Sequence, residues 1–207
     1  MIRSYSRQQL EADPLLLSSM HEDRKRVFVD TLRWEIDCDG SQERDEFDHE
    51  GATYLVAKDR LGTHWVSMRL LDTEQSHILG SIFPYLCESG VPTGPQIKEI
   101  TRYIASPRIK ASERHLARNM ICRALIEYAL REGIEAYTAV VGLPFLAQIL
   151  AAGWRCDPLG LPQRVGHDVI GAFCLHVEKA TISKMVGTWR YGRPALDTSA
   201  HIVSIAA

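Results

Sequence analysis

A long amphipathic helix set among β-forming runs constrains the fold of this chain most. Ser112 is a suitable N-cap, residues 113–131 repeat apolar side chains at helical spacing, and Gly133 ends the pattern. Its apolar face comprises Leu116, Met120, Ala124 and Tyr128, with Ile121 and Leu125 beside them. β-rich runs lie at 54–57, 64–71, 96–105, 136–141 and 169–177. This order predicts an α/β domain with a mixed sheet.

Shorter elements complete the expected order. Helices are predicted at 20–33 after the cap Ser18–Ser19, at 78–85, at 145–152 after Pro144, and at 179–186. The acidic stretch 35–51 is predicted to be a loop. The length of 207 residues suits one domain, which we expect to cover 1–187, followed by a C-terminal tail over 188–207 that lacks periodicity.

Composition excludes several classes of protein. The net charge of -2 and the scattered basic residues argue against nucleic acid as a partner. No apolar run approaches the roughly 20 residues of a membrane span, and the N-terminal residues do not resemble a signal peptide. Five cysteines without a C-x-x-C pair, and histidines without metal-ligand spacing, predict no metal and a reducing, cytoplasmic location.

Common catalytic motifs are also absent from the sequence. Neither a glycine-rich dinucleotide loop nor a phosphate-binding P-loop follows a predicted strand. The sequence lacks the G-x-S-x-G elbow of standard hydrolases. The basic residues of the long helix are interpreted as a solvated face rather than a docking site.

Several charged and aromatic residues in the first half of the chain, taken one at a time, are explained by ordinary structural roles. Arg24 and Phe28 share a helix face, Trp34 suits a core, and an acidic loop is usually solvated. Arg69 lies between Met68 and Leu70 and needs a carboxylate partner if it is buried. Glu99 and Arg102, three apart on a strand, are expected to face opposite sides of the sheet and reach different partners.

Together these residues resemble a known family. The segments RKRVFVDTLRWEI, ERDEFDHEGATYLVA, SMRLLDT and EITRYIAS are similar to the acyl-homoserine-lactone synthases, which make bacterial quorum-sensing signals. The strong motifs span residues 24–105, and the later strand–helix pattern ending at Ala152-Gly153-Trp154 also resembles the family.

The resemblance implies an acyltransferase-like three-layer αβα sandwich, related in architecture to the N-acetyltransferases. It implies synthesis of an N-acyl-L-homoserine lactone from S-adenosylmethionine and an acyl thioester carried by coenzyme A or acyl carrier protein. S-adenosylmethionine is then a substrate, so no separate cofactor is expected. Amide formation comes first, and lactonisation then releases methylthioadenosine.

The resemblance also assigns roles to residues. Glu99 is the candidate base for the α-amine, with Arg102 beside it in the motif, because a carboxylate can accept the proton that the bound amine must lose. Carboxylates, arginines and aromatic rings suit a cationic, zwitterionic substrate. The expected S-adenosylmethionine site comprises Arg24, Phe28, Trp34, Asp45, Asp48, Arg69 and Phe83. A backbone N–H freed by a sheet irregularity near residues 104–106 is a candidate oxyanion donor.

The acyl half of the site departs from the family pattern. Tyr103 replaces the commoner phenylalanine, and Val141 and Gly142 lie where many relatives carry a threonine associated with 3-oxo chains. We therefore expect Tyr103, Val141 and Gly142 to border a pocket for an unmodified acyl chain. The helix over 145–152 lacks basic residues, which keeps a coenzyme A donor open. Two alternatives remain: an N-acyltransferase of the same fold with another amine acceptor, and a non-catalytic binding module.

Overall fold

The computed structural model describes residues 1–199, which divide into two compact units. The first unit comprises Met1–Arg69, Arg102–Glu127 and the chain from Tyr191 onward, and the second comprises Leu70–Thr101 and Tyr128–Arg190. Residues 200–207, the last part of the predicted tail, lie outside the described residues. The division into residues 1–187 and a tail stays a prediction.

The strands are β1 (Arg3–Ser6), β2 (Cys38–Asp39), β3 (Gln42–Glu43), β4 (Thr53–Lys58), β5 (His64–Asp72), β6 (Ile97–Ala105), β7 (Ala136–Gly142), β8 (Cys156–Pro158), β9 (Gln163–Val165) and β10 (Asp168–His176). The helices are α1 (Arg7–Glu11), α2 (Pro14–Arg24), α3 (Ile78–Ser81), α4 (Ala111–Glu132), α5 (Leu143–Leu150) and α6 (Thr181–Lys184). A π-helix covers Lys25–Thr31, and single 3-10 turns cover Pro84–Leu86 and Gly187–Trp189.

The sheet of the first unit has the strand order β1-β4-β5-β6. β1 is antiparallel to β4, with Arg3 opposite Val56 and Ser6 opposite Thr53. Side chains from these strands and from α1, α2 and α4 form a buried core. It includes Leu10, Leu16, Met20, Leu55, Val66, Ile121 and Leu125.

The second unit contains the other ends of β5 and β6 and has the order β5-β6-β7-β10-β8, with β9 also pairing with β10. β6 is parallel to β7, where Glu99 lies opposite Thr138. β7 is antiparallel to β10, where Val140 lies opposite Ala172. Parallel and antiparallel neighbours in one sheet, with helices between the strands, confirm the predicted α/β class and mixed sheet.

The start of the second helix was predicted wrongly. Asp13, not Ser18 or Ser19, caps α2, because its side chain accepts the Leu16 N–H at 3.2 Å and Pro14 begins the first turn. The Ser19 hydroxyl instead donates to the Leu15 carbonyl at 2.7 Å inside the helix. The helical path then continues to Thr31 as a π-helix.

The helix predicted over 78–85 is interrupted. Four residues form α3, and Pro84 then begins a 3-10 turn, because its ring cannot continue an α-helix. The helix predicted over 179–186 is likewise shortened to Thr181–Lys184. The predicted loop 35–51 contains the two-stranded β2–β3 ladder.

The long helix is confirmed with nearly the expected bounds, but its apolar face begins later. Leu116 is 50% exposed, whereas Ala117, Ile121 and Leu125 are buried. The N-terminal end of α4 therefore lies on the surface of the first unit.

Residues 191–197 add backbone contacts to the first unit. Glu127 on α4 accepts the N–H groups of Ala195 and Leu196 at 2.9 and 2.8 Å. Ile2 donates to the Ala195 carbonyl at 2.9 Å and accepts from Asp197 at 2.7 Å. These bonds bring the two ends of the described chain together. Among residues 1–199, none of the helices has the length and apolar run needed to cross a bilayer.

Candidate functional site

Three arginines and three carboxylates form one buried ion-pair network in the first unit. Its members, called here the arginine–carboxylate network, are Arg24, Arg69, Arg102, Glu43, Asp45 and Asp48. Five of these were predicted as site residues from the sequence, and the fold brings those five together.

Arg24, the last residue of α2, is 1% exposed and binds two carboxylates. Its Nε donates to Glu43 at 2.5 Å, and its Nη1 and Nη2 donate to the two oxygens of Asp48 at 2.8 and 2.9 Å. A bidentate pair fixes the guanidinium plane as well as its position. The shared helix face predicted for Arg24 and Phe28 is consistent with the burial of both side chains.

Arg69 on β5 has the carboxylate partners that its burial requires. Its Nη1 and Nη2 donate to Asp45 at 2.5 and 2.9 Å, and its Nη1 also lies 2.9 Å from Asp48. Asp45 and Asp48 are held in a short turn, where the Asp45 N–H donates to the Asp48 carboxylate at 3.1 Å. The carboxylates of Asp45 and Asp48 are therefore bound by arginines rather than by solvent.

Arg102 completes the network from β6. Its Nε and Nη2 donate to Glu43 Oε1 at 3.1 and 2.9 Å, and its Nη2 lies 2.7 Å from Asp45. The backbone of Arg102 has φ of 49°, which is rare for a residue other than glycine. This left-handed residue interrupts the extended strand. Glu99 and Arg102 reach different partners, as expected, since Glu99 binds backbone N–H groups of α3.

Glu43 was missed by the sequence analysis. It is 0% exposed, bridges Arg24 and Arg102, and ends β3 two residues before Asp45. An acidic residue two positions from a site carboxylate shares its face in an extended segment, and this spacing is the signal that could have found it.

Aromatic side chains border the network. Phe28 and Trp34 stack with ring centroids 4.7 Å apart and an interplanar angle of 13°. The Arg102 guanidinium lies 5.3 Å from the centre of the Phe28 ring, and the Arg69 guanidinium lies 5.9 Å from the Phe47 ring. The π-helix carries Phe28, and the Trp34 N–H donates to the Phe28 carbonyl at 2.9 Å, which brings the two rings to one place.

The network is electrically balanced, with three cations and three anions. Burial alone would raise the pKa of the Asp48 carboxyl, but the charges of Arg24 and Arg69 outweigh it and hold that pKa well below its usual range. Burial and the Asp48 charge raise the pKa of Tyr54, whose hydroxyl donates to Asp48 at 2.9 Å. The Asp45 and Asp48 carboxyls, whose pKa values are both lowered, are therefore ionised at neutral pH and suited to bind a cation.

Exposure differs across the network. The side chains of Asp45 and Arg102 are 19% and 10% exposed, whereas those of Arg24, Glu43, Asp48 and Arg69 range from 0% to 4%. A ligand can therefore contact Asp45 and Arg102 directly, with the other four behind them.

Glu99 belongs to the second unit and is fully buried there. Its Oε2 accepts the Ile78 N–H at 2.7 Å and its Oε1 accepts the Leu79 N–H at 2.8 Å, so the carboxylate anchors the first turn of α3. Its role as a base stays a prediction, and anchoring is a second role that the sequence did not indicate.

Phe83 also lies in the second unit, in an apolar cluster. The cluster is centred on Leu79, Leu86 and Ala172, and Phe83 and Val140 pack against it. Val141 and Gly142 are half-buried at the end of β7, opposite Gly171 and Ile170. The expected contact of Phe83 with S-adenosylmethionine stays a prediction.

Tyr103 and the expected oxyanion donor lie in the first unit. Burial raises the pKa of the Tyr103 phenol. The positive φ at Arg102 precedes the range 104–106 in which we expected an irregularity. At the end of that range, the Ser106 N–H donates to the Trp65 carbonyl at 2.9 Å. Among residues 1–199, no group of three or more His, Cys, Asp or Glu side chains is arranged to hold a metal ion.

Comparison with known proteins agrees with this arrangement. Residues 8–185 match the sequence profile of the family described as autoinducer synthase. An acyl-homoserine-lactone synthase of Acinetobacter nosocomialis is 32% identical over 157 residues, which is 72% of this chain and 86% of that protein.

Solved structures show the same fold. The coenzyme A-dependent acyl-homoserine lactone synthase BjaI, solved with S-adenosylmethionine and isopentyl-CoA, has a TM-score of 0.80 and 25% identity, covering 88% of this chain and 86% of its own. An acyl-CoA N-acyltransferase from Pseudomonas aeruginosa has a TM-score of 0.58 at 18% identity, covering 84% of this chain and 97% of its own. The predicted acyltransferase-like architecture is confirmed.

Proposed function

The chain belongs to the autoinducer synthase family, and from that premise we propose that it makes an N-acyl-L-homoserine lactone. The substrates are S-adenosylmethionine and an acyl thioester, and the products are the lactone, the free thiol and methylthioadenosine. The observation that carries the proposal is the balanced arginine–carboxylate network beside the Phe28–Trp34 stack.

The network suits S-adenosylmethionine in charge and shape. The substrate has a sulfonium, an ammonium and one carboxylate, so it is a cation overall and needs both acceptors and one cationic donor. Asp45 supplies carboxylate oxygens and Arg102 supplies guanidinium N–H groups, and these two have the most exposed side chains in the network. The Phe28–Trp34 stack provides aromatic faces for the sulfonium or the adenine ring.

Amide formation requires a neutral amine. The free α-amino group has a pKa near 8, so it loses one proton before it attacks the thioester carbonyl and a second as the amide forms. Attack forms the C–N bond, breaks the C–S bond and releases the thiol, which takes up a proton. We assign the acceptance of the amine proton to the Glu99 carboxylate, and because that carboxylate is fully buried, the proton reaches it through a water.

Lactonisation requires positioning rather than a further protein nucleophile. A methionine carboxylate oxygen attacks the Cγ carbon next to the sulfonium, the C–S bond breaks, and methylthioadenosine leaves as a neutral thioether. Because the nucleophile and the leaving group belong to one molecule, holding the chain in a bent conformation supplies most of the required rate enhancement. The buried arginines keep Asp45 and Asp48 in place for this purpose.

Acyl-coenzyme A is our proposed donor. BjaI, which shares the fold, was solved with isopentyl-CoA and is described as coenzyme A-dependent. The helix α5 has no charged side chain and exposes Leu143 and Leu150, whereas an acidic carrier protein is better matched by a basic surface. An acyl-carrier-protein donor is the alternative outcome of the test below.

The remaining parts of the proposal concern cofactor and location. S-adenosylmethionine is consumed as a substrate, and the two steps above need neither a metal nor a further cofactor. All five cysteines are free thiols, which is consistent with a reducing cytoplasm where both substrates are available.

Incubation of the full chain with S-adenosylmethionine and a panel of acyl-coenzyme A and acyl-carrier-protein donors tests the proposal. We expect methylthioadenosine and a lactone of matching mass, formed in equal amounts, with a coenzyme A donor. An N-acyltransferase with another acceptor would release thiol without methylthioadenosine. Absence of methylthioadenosine with every donor would overturn the proposal.

A further inference from the structure

A second buried polar cluster lies in the first unit, outside the arginine–carboxylate network. His64 Nδ1 is 2.8 Å from Asp23 Oδ2, and His64 Nε2 is 2.9 Å from the Ser67 hydroxyl. All three residues are buried, with exposed fractions of 0% for Asp23, 1% for His64 and 2% for Ser67. The bonds run from carboxylate through imidazole to hydroxyl.

The cluster extends to two further residues. Arg108 Nη2 lies 3.0 Å from Asp23 Oδ2 and donates to the His64 carbonyl at 3.0 Å. The His64 N–H donates to the Ser19 hydroxyl at 3.0 Å. Asp23 thus faces two cations, Arg108 and also Arg26, whose Nη1 lies 3.4 Å from Asp23 Oδ1. Burial lowers the pKa of His64 against the opposing effect of Asp23.

The cluster joins two elements that carry arginines of the network, α2 and β5, to the segment that follows the third, β6. Asp23 is on α2 and immediately precedes Arg24. Ser67 is on β5, two residues before Arg69 and thus on the same strand face. Arg108 follows β6, which carries Arg102. Bonds centred on Asp23 and His64 therefore connect α2, β5 and the segment after β6.

We propose that Asp23, His64, Ser67 and Arg108 are positioning residues that hold the three arginines in register for S-adenosylmethionine. This inference rests on the proposed function, because it concerns the same substrate. The two bidentate pairs, Arg24 with Asp48 and Arg69 with Asp45, tolerate little displacement, since a guanidinium fork matches a carboxylate in one plane. Asp45 and Asp48 belong to one short turn, so a shift of α2 along β5 would break at least one of the two pairs.

The same order of bonds occurs in serine hydrolases, but the surroundings differ. A nucleophilic serine must reach a substrate carbonyl. Ser67 is 2% exposed within a strand whose neighbouring residues Val66 and Met68 are also buried. The imidazole therefore orients protein groups instead of activating a nucleophile.

The affinity of the full chain for S-adenosylmethionine, measured by calorimetry well below the melting temperature, tests this role. Asp23→Asn keeps the shape and removes the charge that holds His64 and Arg108. We expect its dissociation constant to rise about tenfold, and that of Ser67→Ala about threefold, which corresponds to losing one or two hydrogen bonds. Acyl-coenzyme A affinity should stay within twofold, which a general structural defect would not produce.

Asp157→Asn is a control with the same chemical change at an exposed site. It removes the carboxylate of another His–Asp pair, since Asp157 lies 2.8 Å from His176 in the second unit. We expect wild-type affinity for S-adenosylmethionine in this variant.

Wild-type affinity in a folded Asp23→Asn variant would overturn the positioning role. If that variant does not fold, the affinity of Ser67→Ala for S-adenosylmethionine is the test, because this change removes only one hydroxyl. Wild-type affinity there would overturn the positioning role. Labelling of Ser67 by a fluorophosphonate would also overturn the role, in favour of a reactive serine. Failure of the wild-type chain to bind S-adenosylmethionine would instead remove the proposed function and this inference with it.

Discussion

Glu43 and Arg102 are separated by 59 residues in the sequence and joined by two hydrogen bonds, from Nε and Nη2 to one carboxylate oxygen. The other oxygen of Glu43 binds Arg24. Because Glu43 is wholly buried, its charge is directed entirely at these two arginines. It supplies the third negative charge that balances the three arginines.

Glu43→Gln should weaken binding of S-adenosylmethionine by at least about tenfold. The change leaves one uncompensated positive charge in a buried site, which repels a cationic substrate and releases Arg102 from its position. Calorimetric titration measures the effect. Glu46→Gln changes an exposed carboxylate in the same segment and should bind normally. Equal affinity of both variants would show that Glu43 does not influence the substrate site.

Asp48→Asn should lower the free energy of unfolding by about 3–5 kcal/mol, because the buried network is left with one uncompensated positive charge, although Arg24 keeps Glu43 and Arg69 keeps Asp45. Arg24 and Arg69 both bind this carboxylate, whose side chain is 4% exposed. Urea denaturation measures the change. Tyr54→Phe removes one hydrogen bond to the same carboxylate and should cost only about 1 kcal/mol. Similar losses in the two variants would contradict this account.

The fold was predictable where the sequence pattern is long. The α4 helix and the strands β4, β5, β6, β7 and β10 were found because their apolar periodicity or β-rich composition extends over several residues. The strands β1, β8 and β9 were missed, since three or four residues do not establish a period. The cap of α2 was misplaced because Ser19 bonds within the helix.

The site was predictable by residue type but less so by contact. Arg69 in an apolar strand required a carboxylate partner, and Asp45 and Asp48 supply it. Asp45 also binds Arg102. This contact could not be predicted from the sequence, because it depends on the left-handed backbone of Arg102 within β6. The burial of Glu43 depends on the β2–β3 ladder, which is too short to predict.

Stability should fall as the pH is lowered from about 6.5 to about 4. Burial, with the nearby Arg24 charge, lowers the pKa of His21 to about 4, against opposing effects of Asp48 and the Glu43 carbonyl. The unfolded state takes up a proton near pH 6.5 and the folded state does not, so this contribution is complete above 6.5 and is lost below it. His64, also lowered by burial, acts in the same direction.

The loss attributable to His21 between pH 7 and pH 5 should be about 2 kcal/mol. Urea unfolding at both pH values gives this difference, and His21→Gln should reduce it while lowering stability at pH 7. A variant with an unchanged pH dependence would show that the pKa of His21 is the same in the folded and unfolded states.

Glu99→Gln should slow amide formation by about 10²–10⁴-fold while S-adenosylmethionine binding changes little, if Glu99 is the base. Single-turnover measurement of the amide gives the rate. The variant also alters the anchor of α3, because a side-chain amide cannot accept both the Ile78 and Leu79 N–H groups as the carboxylate does.

Gly80→Ala separates the two roles of Glu99. A Cβ at Gly80 would lie 2.5 Å from His77 Cε1, so the buried His77 ring or α3 itself must move while the Glu99 carboxylate remains. A much smaller loss of rate in Gly80→Ala than in Glu99→Gln supports the base. Equal losses would assign Glu99 to anchoring alone.

Phe83→Leu should change the acyl donor preference more than S-adenosylmethionine binding. Phe83 and Val140 pack against the same buried cluster, which includes Leu79 and Leu86. Val140 adjoins the predicted acyl-pocket residues Val141 and Gly142 on β7. A smaller side chain enlarges an apolar space, which favours longer or branched acyl chains by a few-fold per added methylene. Initial rates across an acyl-coenzyme A series measure the preference. A raised KM for S-adenosylmethionine with an unchanged donor preference would instead support the assignment of Phe83 to the S-adenosylmethionine site, as the sequence motif indicated.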